Sequence, residues 1–235
     1  MAQNERVLLA TVTGELFQPV RLHYQVFDRA GLHQVFRQLR CIERDPTQSR
    51  WVWLYEHEAQ TLEFQRSWAN LPTQLHPVVI GSFFERSADH FLLDVRSCER
   101  ALLAVPFFDH YIPRQVARLT EGEVVNQLFD ATGNAALTPD QLFDQRAGTV
   151  LGSAPGGDDP RGPGHAMPGP AKHGQRSGGK PSRPAIERFP IHYYEDGIDS
   201  LTLVLRTRQI VALERWNGNT RYSLTDAIRR IIHGQ

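Results

Sequence analysis

HPVVIGSFFERSADHFLLDVRS, residues 76–97, is the stretch that decides the fold. Two segments rich in aromatic and β-branched residues flank the polar turn Ser87-Ala88-Asp89, which is typical of two strands joined as a hairpin. Strand patterns recur over residues 6–15, 19–28, 50–56 and 58–67. Hairpin-paired strands with helices between them predict an α+β fold, with a mainly antiparallel sheet of about five or six strands covered by helices.

Helical periodicity replaces the strand pattern in other segments. Residues 29–45 place Leu32, Phe36 and Leu39 on one face, which predicts a helix that ends at Asp45-Pro46. Further helices are predicted from Ser97 onward with a break or kink at Pro106, over residues 121–129, and after Pro139.

A change of composition divides the chain. Residues 147–185 contain ten glycines and seven prolines, and such a segment buries too little apolar surface to offset the entropy of ordering it. We therefore expect an α+β core domain over 1–146, a disordered linker or long loop over 147–185, and a tethered, partly helical C-terminal segment over 186–235. The last segment should dock on the core domain, because about fifty residues rarely sustain a core alone.

Two stretches resemble ligand-binding motifs but lack required residues. Residues 174–182, GQRSGGKPS, have the spacing of a phosphate-binding GxxxxGK loop. However, Pro181 stands where a magnesium-binding hydroxyl is needed, and Pro184 disrupts a following helix. Residues 57–61, HEAQT, begin like the zinc motif HExxH, but Thr61 replaces the second histidine. We therefore predict no nucleotide, metal or other cofactor.

The overall composition is that of a soluble cytoplasmic protein. The 26 basic and 26 acidic residues cancel, so no whole-chain field attracts nucleic acid or an anionic membrane. Cys41 and Cys98 are too few for a secreted disulfide framework, and we expect both to be buried thiols. No apolar run approaches the length of a membrane span or a signal peptide.

One candidate site lies at the end of a predicted strand. Asp94, Arg96 and Cys98 alternate where this strand turns into the next helix, and a cysteine near a helix N-terminus can have a lowered pKa. The alternative is a surface Asp–Arg pair beside a buried thiol, because cysteine is so often buried.

A second candidate lies in IHYYEDG, residues 191–197. His192 and Glu195 could perform acid–base chemistry, although a strand end followed by an Asp-Gly turn explains the run equally well. A hydrolase would require His192 and Glu195 to share a pocket with Asp94 and Cys98.

The C-terminal segment is rich in arginine. Residues 201–216 fit a helix or a strand, Asn217-Gly218-Asn219 is a breaker, and Ser223 with Asp226 resembles the capping box of a last helix. Its candidate nucleic-acid-binding cations are Arg206, Arg208, Arg215, Arg221, Arg229 and Arg230. Helix, turn and helix is the outline of a DNA-binding motif. The alternative is that these arginines pair with the core domain, which has 14 basic and 18 acidic residues.

The sequence favours a non-catalytic protein-interaction, assembly or regulatory protein with an unidentified protein partner. Nucleic-acid binding through the six arginines and hydrolysis at the two candidate sites are the alternatives. The tryptophans would anchor a partner surface if exposed and would belong to the core if buried: Trp51, Trp53, Trp68 and Trp216.

Overall fold

The computed structural model describes residues 6–134, 138–144 and 185–234. Within this part of the chain, helices cover an antiparallel sheet of seven strands. The predicted α+β class is therefore confirmed, with one strand beyond the five or six expected. The predicted linker over 147–185, apart from Ala185, and the GxxxxGK-like stretch at 174–182 lie outside the described residues.

The sheet has the strand order β2-β3-β4-β5-β1-β6-β7. The strands are β1 (Val20–Val26), β2 (Ile42–Asp45), β3 (Arg50–Leu54), β4 (Val79–Ser87), β5 (His90–Val95), β6 (Ala117–Val125) and β7 (Ile186–Pro190). The helices are α1 (Arg29–Gln38), α2 (Cys98–Tyr111), α3 (Ala131–Asn134), α4 (Pro139–Asp144), α5 (Tyr193–Asp196), α6 (Ile198–Trp216) and α7 (Leu224–His233). Short 3₁₀ turns lie at His57–Thr61, Trp68–Asn70 and Thr73–Leu75.

The hairpin of β4 and β5 defines the two faces of the sheet. Phe83 pairs with Leu93, and Ser82 pairs with Asp94. Because side chains alternate along a strand, these two pairs point to opposite faces. Phe83 and Leu93 belong to the main core, and Leu22 of β1 pairs with Leu93 to extend this apolar face. We call the face that carries Ser82 and Asp94 the second face.

Helices α1, α2 and α6 pack on the apolar face. The ring centre of Phe36 in α1 lies 4.7 Å from that of Phe83, and Phe108 in α2 approaches Phe83 and Trp53 at 4.8 Å each. Leu205 of α6 is fully buried in the same cluster. Burying one large apolar side chain contributes about 1.5–3 kcal/mol, so these contacts supply much of the stability.

The second face has a smaller apolar cluster at one end, which includes Phe17, Val125, Phe129, Leu142 and Phe143. Elsewhere this face carries polar side chains that are nevertheless buried, among them Arg21, His23, Ser82 and Asp94. Buried polar groups need partners, and the polar side chains of this face form the candidate site.

Two segments predicted as helix contain strands. Helix α1 begins at Arg29 but ends at Gln38, and Ile42–Asp45 forms strand β2 against β3. Residues 121–129 were expected to be helical, yet Ala117–Val125 is strand β6, hydrogen-bonded to β1 and β7. Pairing with neighbouring strands outweighs local helical propensity in both segments.

Two segments predicted as strands do not form them. Within residues 6–15, Leu8 and Ala10 make only isolated bridges. The chain is instead held by a buried polar network, in which Arg100 donates to Thr13 Oγ1 at 2.7 Å and the Thr13 hydroxyl donates to Glu15 Oε2 at 2.6 Å. Residues 58–67 contain part of a 3₁₀ turn in place of a strand.

The predicted start of α2 is confirmed, whereas of the break or kink predicted at Pro106 the break does not occur. Ser97 caps α2 by accepting a hydrogen bond from Arg100 N at 3.0 Å, but the helix continues through Pro106 to Tyr111. The second half of α2 is held by the packing of Phe107 and Phe108 on Trp53. None of the helices in the described ranges is both long enough and apolar enough to cross a membrane.

The C-terminal segment contributes to the sheet and to the main core. Strand β7 extends the sheet at β6, pairing Phe189 with Gly122, and α6 buries Leu201 and Leu205 in the main core. The ambiguous segment 201–216 is therefore helical, and α7 has the predicted capping box of Ser223 and Asp226. Whether residues 1–146 form a separate domain stays a prediction.

Candidate functional site

An ion pair lies at the centre of the buried polar side chains. Arg21 Nε donates to Asp94 Oδ1 at 2.6 Å, and Arg21 Nη2 donates to Asp94 Oδ2 at 2.8 Å. Both side chains are almost fully buried. Arg21 Nη1 also donates to Asp144 Oδ1 at 2.9 Å, and the guanidinium lies 4.6 Å from the centre of the Phe143 ring. These contacts tie α4 to β1 and β5.

Burial and pairing oppose each other in this ion pair. Burial lowers the pKa of Arg21, but hydrogen bonds and charges from Asp94 and Asp144 raise it above its ordinary value overall. Burial raises the pKa of the Asp94 carboxyl, and Arg21 opposes that rise. Because both Asp94 oxygens already accept hydrogen bonds from Arg21, Asp94 is poorly placed to act as a general base. The partner of Asp94 is thus Arg21 of β1, and not its sequence neighbour Arg96.

A cavity of about 280 Å³ lies beside this pair, between the second face and the start of α4. We call it the arginine cavity, because Arg50 and Arg96 both line it. Ser82, Asp94, Thr138 and Asp140 complete its ionisable and hydroxyl lining. Sequence reasoning found Asp94 and Arg96 as site residues but missed the other four. They lie in three distant parts of the chain, and no local pattern links them.

Cys98 lies away from this cavity, in the main core on the other face of the sheet. Its thiol donates to Gln18 Oε1 at 3.5 Å. Burial, followed by the charge of Glu99, raises the pKa of the Cys98 thiol, so the nucleophilic thiolate is disfavoured. Cys98 and Cys41 are both free and buried, as expected from the sequence.

His192 and Glu195 lie at the C-terminal end of β7, at or in the short helix α5. Both side chains are exposed. His192 lines a separate cavity of about 280 Å³, together with Leu203 of α6. In the described residues, neither His192 nor Glu195 lines the cavity that contains Asp94. The shared pocket that a hydrolase would need is not formed by these residues.

The six arginines of the C-terminal segment divide into two groups. Arg208 is buried and donates to Glu187 and to the carbonyl of Val204, and Arg230 donates to Glu214 at 2.8 Å. The other four are exposed and form no ion pair within the described ranges: Arg206, Arg215, Arg221 and Arg229.

The exposed arginines do not share one helix face. Arg206 and Arg215 are nine residues apart in α6, which is two and a half turns and places them on opposite sides. Arg215 lines a cavity of about 290 Å³ with Trp216, over whose ring Arg6 lies at 3.9 Å. Arg206 and Arg215 therefore do not lie on one face of α6, and nucleic-acid binding by the arginines of this segment stays a prediction.

Helix α7 exposes an apolar surface. Its apolar residues recur with helical spacing, so that one side of the helix carries Ala227, Ile228, Ile231 and Ile232. Ala227 is fully buried, but Ile228, Ile231 and Ile232 are 43%, 37% and 71% exposed. We call these three residues the isoleucine face. The pattern was visible in the sequence, but whether another element covers it was not.

Two of the four tryptophans are core residues. Trp51 and Trp53 are buried in the main core, whereas Trp216 is half-buried with Arg6 over its ring. Trp68 is exposed, with 36% of its surface accessible. Of the partner anchors suggested by the sequence, Trp51 and Trp53 are therefore used inside the fold.

Metal binding and similarity to other proteins supply no further lead. The described ranges contain no group of three His, Cys, Asp or Glu side chains that could hold a metal ion. No protein-family model matches the chain, and neither curated proteins nor solved structures show a match.

Proposed function

We propose that this chain is a non-catalytic protein-interaction module whose partner surface is the isoleucine face of α7. The observation that carries the proposal is the exposure of Ile228, Ile231 and Ile232 on a helix that is capped at both ends. Ser223 and Asp226 form its capping box, and Gly234 closes it in the left-handed conformation.

The isoleucine face has the spacing of a helix that docks into a groove. Residues at i, i+3 and i+4 project to one side of a helix and act as anchors in such complexes. Burying one large aliphatic side chain contributes about 1.5–3 kcal/mol, and part of this contribution is not used at the three exposed isoleucines. A partner that covers them recovers this free energy.

The charges beside the isoleucine face favour an acidic partner. Arg229 lies next to Ile228 in α7, and Arg221 precedes the helix; both are exposed and unpaired in the described ranges. Asp226 is engaged by Ser223 in the capping box. An amphipathic helix with acidic flanks would satisfy both the apolar anchors and these cations.

The cellular location is part of this proposal. Cys41 and Cys98 are both free thiols, and both are buried in the main core. Free thiols are common in reducing compartments, which supports a cytoplasmic partner.

The test compares capture of cellular proteins by the full chain and two variants. Ile232→Ser removes the most exposed anchor, and Phe27→Ser is the matched control, because Phe27 is 59% exposed but distant in sequence from α7. We expect the amount of a captured protein to be at least about tenfold lower with Ile232→Ser than with the wild-type chain. The amount captured by Phe27→Ser should equal that of the wild-type chain. Cross-linking should then join an acidic segment of that protein to α7.

The other outcomes would each reject the proposal. Equal capture by Ile232→Ser would remove the isoleucine face as the binding surface. A homodimer that dissociates on Ile232→Ser, measured by light scattering, would make a second copy the occupant. Loss of all captured proteins on nuclease treatment would favour the nucleic-acid alternative, through the exposed arginines.

A further inference from the structure

The arginine cavity holds two cations that the fold leaves incompletely satisfied. Arg50 Nε donates to Asp45 Oδ2 at 3.2 Å, and Arg50 Nη1 reaches Ser82 Oγ at a long 3.4 Å. No side chain or carbonyl of the described ranges accepts a hydrogen bond from the Arg96 guanidinium. Arg96 is nevertheless half-buried, so it has lost part of its hydration without gaining a partner among the described residues.

The acidic groups of the cavity do not neutralise Arg96 directly. Both oxygens of Asp94 are bound to Arg21. Asp140 lines the cavity but comes within 4 Å of no basic nitrogen of the described residues. An acceptor from outside the chain can therefore reach Arg96 without displacing an existing ion pair.

The electrostatics of the cavity favour a bound anion. Burial lowers the pKa of Arg96, and the positive charge of Arg50 lowers it further, while Asp140 acts in the opposite direction. An anion placed beside both guanidinium groups would offset the repulsion that Arg96 experiences from Arg50. Guanidinium groups bind carboxylate and phosphate oxygens through paired N–H donors.

We propose that the arginine cavity binds a small molecule through an oxyanion, carboxylate or phosphate, held by Arg50 and Arg96. Ser82 adds a donor, because its Oγ accepts from Arg50 and leaves its own proton free. The volume of about 280 Å³ is near the lower end for ligand pockets, so the ligand is small. Phe84 and Ile80 provide apolar walls for its remaining atoms.

The test measures thermal unfolding of the full chain in sodium phosphate, sodium acetate and sodium chloride at matched ionic strength. A ligand that binds only the folded state at one site raises the midpoint temperature of unfolding as its concentration increases. We call such an increase, when it occurs over the range in which the site fills, a saturable shift. We expect saturation with phosphate or acetate and none with chloride. The comparison of phosphate with acetate shows which oxyanion the cavity prefers.

Three variants connect any such shift to the cavity. Arg96→Gln and Arg50→Gln should each abolish the saturable shift, whereas Arg37→Gln, at an exposed position of α1, should retain it. Without added anion, Arg96→Gln should raise the unfolding temperature by about 2 °C, because it removes a half-buried charge that no described residue pairs with. Unchanged circular dichroism of each variant shows that it folds.

Two results would overturn the proposal. One is the absence of a saturable shift with both phosphate and acetate in the wild-type chain. The other is a shift of the same size in Arg96→Gln, which would place the anion elsewhere. Neither result bears on the isoleucine face, because no arginine-cavity residue lies in α7.

Discussion

At the scale of single residues, Arg21 and Asp94 form the ion pair on which the second face depends. Both side chains are buried, and their two hydrogen bonds measure 2.6 and 2.8 Å. Removing one partner of such a pair leaves the other charge buried and unpaired. We expect Arg21→Met to lower the free energy of unfolding by about 3–5 kcal/mol, measured by urea denaturation followed by circular dichroism.

The double variant Arg21→Met/Asp94→Leu is the control for this interpretation. It removes both charges and keeps similar volumes, so most of the lost stability should return. If the double variant is as unstable as Arg21→Met alone, the loss comes from packing around the arginine stem, and the ion pair is not its cause.

His33 and His90 make stability depend on pH. Burial lowers the pKa of both imidazoles, and the charge of His23 adds to this effect at His90. Each histidine is therefore harder to protonate in the folded than in the unfolded chain. Their contribution is fully present above the ordinary pKa of 6.5 and is lost as the pH falls from there through the folded value.

The check is the urea midpoint at about pH 7.5 and about pH 5.5. We expect the wild-type urea midpoint to be lower at the acidic pH than at the neutral pH. The difference between the two midpoints should be smaller in the double variant His33→Gln/His90→Gln. His110→Gln, at an exposed site, should keep the wild-type fall. An equal fall in all three proteins would assign the pH dependence to other groups.

At the scale of elements, Gly122 allows strand β7 to pair with β6. A Cβ atom at Gly122 would lie 2.6 Å from Cζ and 2.8 Å from Cε2 of Phe189, and Phe189 is itself buried. We expect Gly122→Ala to destabilise the protein by about 1–3 kcal/mol, measured by chemical denaturation. Faster proteolysis of β7 should accompany the loss.

A smaller side chain at position 189 tests the cause. In a Phe189→Leu background, Gly122→Ala should cost clearly less, because the clashing ring is gone. Equal costs in the two backgrounds would mean that the added methyl group acts on the β6 backbone and not on Phe189.

The elements also show where sequence patterns stop being informative. Residues 121–129 and 42–45 were expected to be helical, but each lies beside a strand that offers it a ladder of hydrogen bonds. Ser223 and Asp226, in contrast, were recognised as a capping box. A cap involves residues three positions apart, whereas a strand depends on a partner that can lie anywhere in the chain.

At the scale of the whole molecule, the C-terminal segment belongs to the main core. Phe189, Ile191, Leu201 and Leu205 are buried there with residues from the first half of the chain. We therefore expect a chain truncated to residues 1–146 to lose its cooperative thermal transition and to aggregate. Circular dichroism and size-exclusion chromatography would measure both effects.

A cleaved full chain separates covalent attachment from contact. With a protease site inserted between residues 147 and 184, the two fragments should stay together after cleavage and unfold in one transition. If the fragment 1–146 instead unfolds cooperatively with the midpoint of the full chain, it is an independent domain with a docked C-terminal segment.

The sequence alone determined the features that depend on near neighbours. They are the β4–β5 hairpin around Ser87-Ala88-Asp89, the α+β class, the cap at Ser97 and the capping box at Ser223, because periodicity and turn chemistry act over a few residues. Long-range contacts set three further features: Asp94 pairs with Arg21, Arg50 and Arg96 line one cavity, and the isoleucine face is exposed in the described part of the chain. These features depend on contacts between residues far apart in the chain, and local patterns in a single sequence do not predict such contacts.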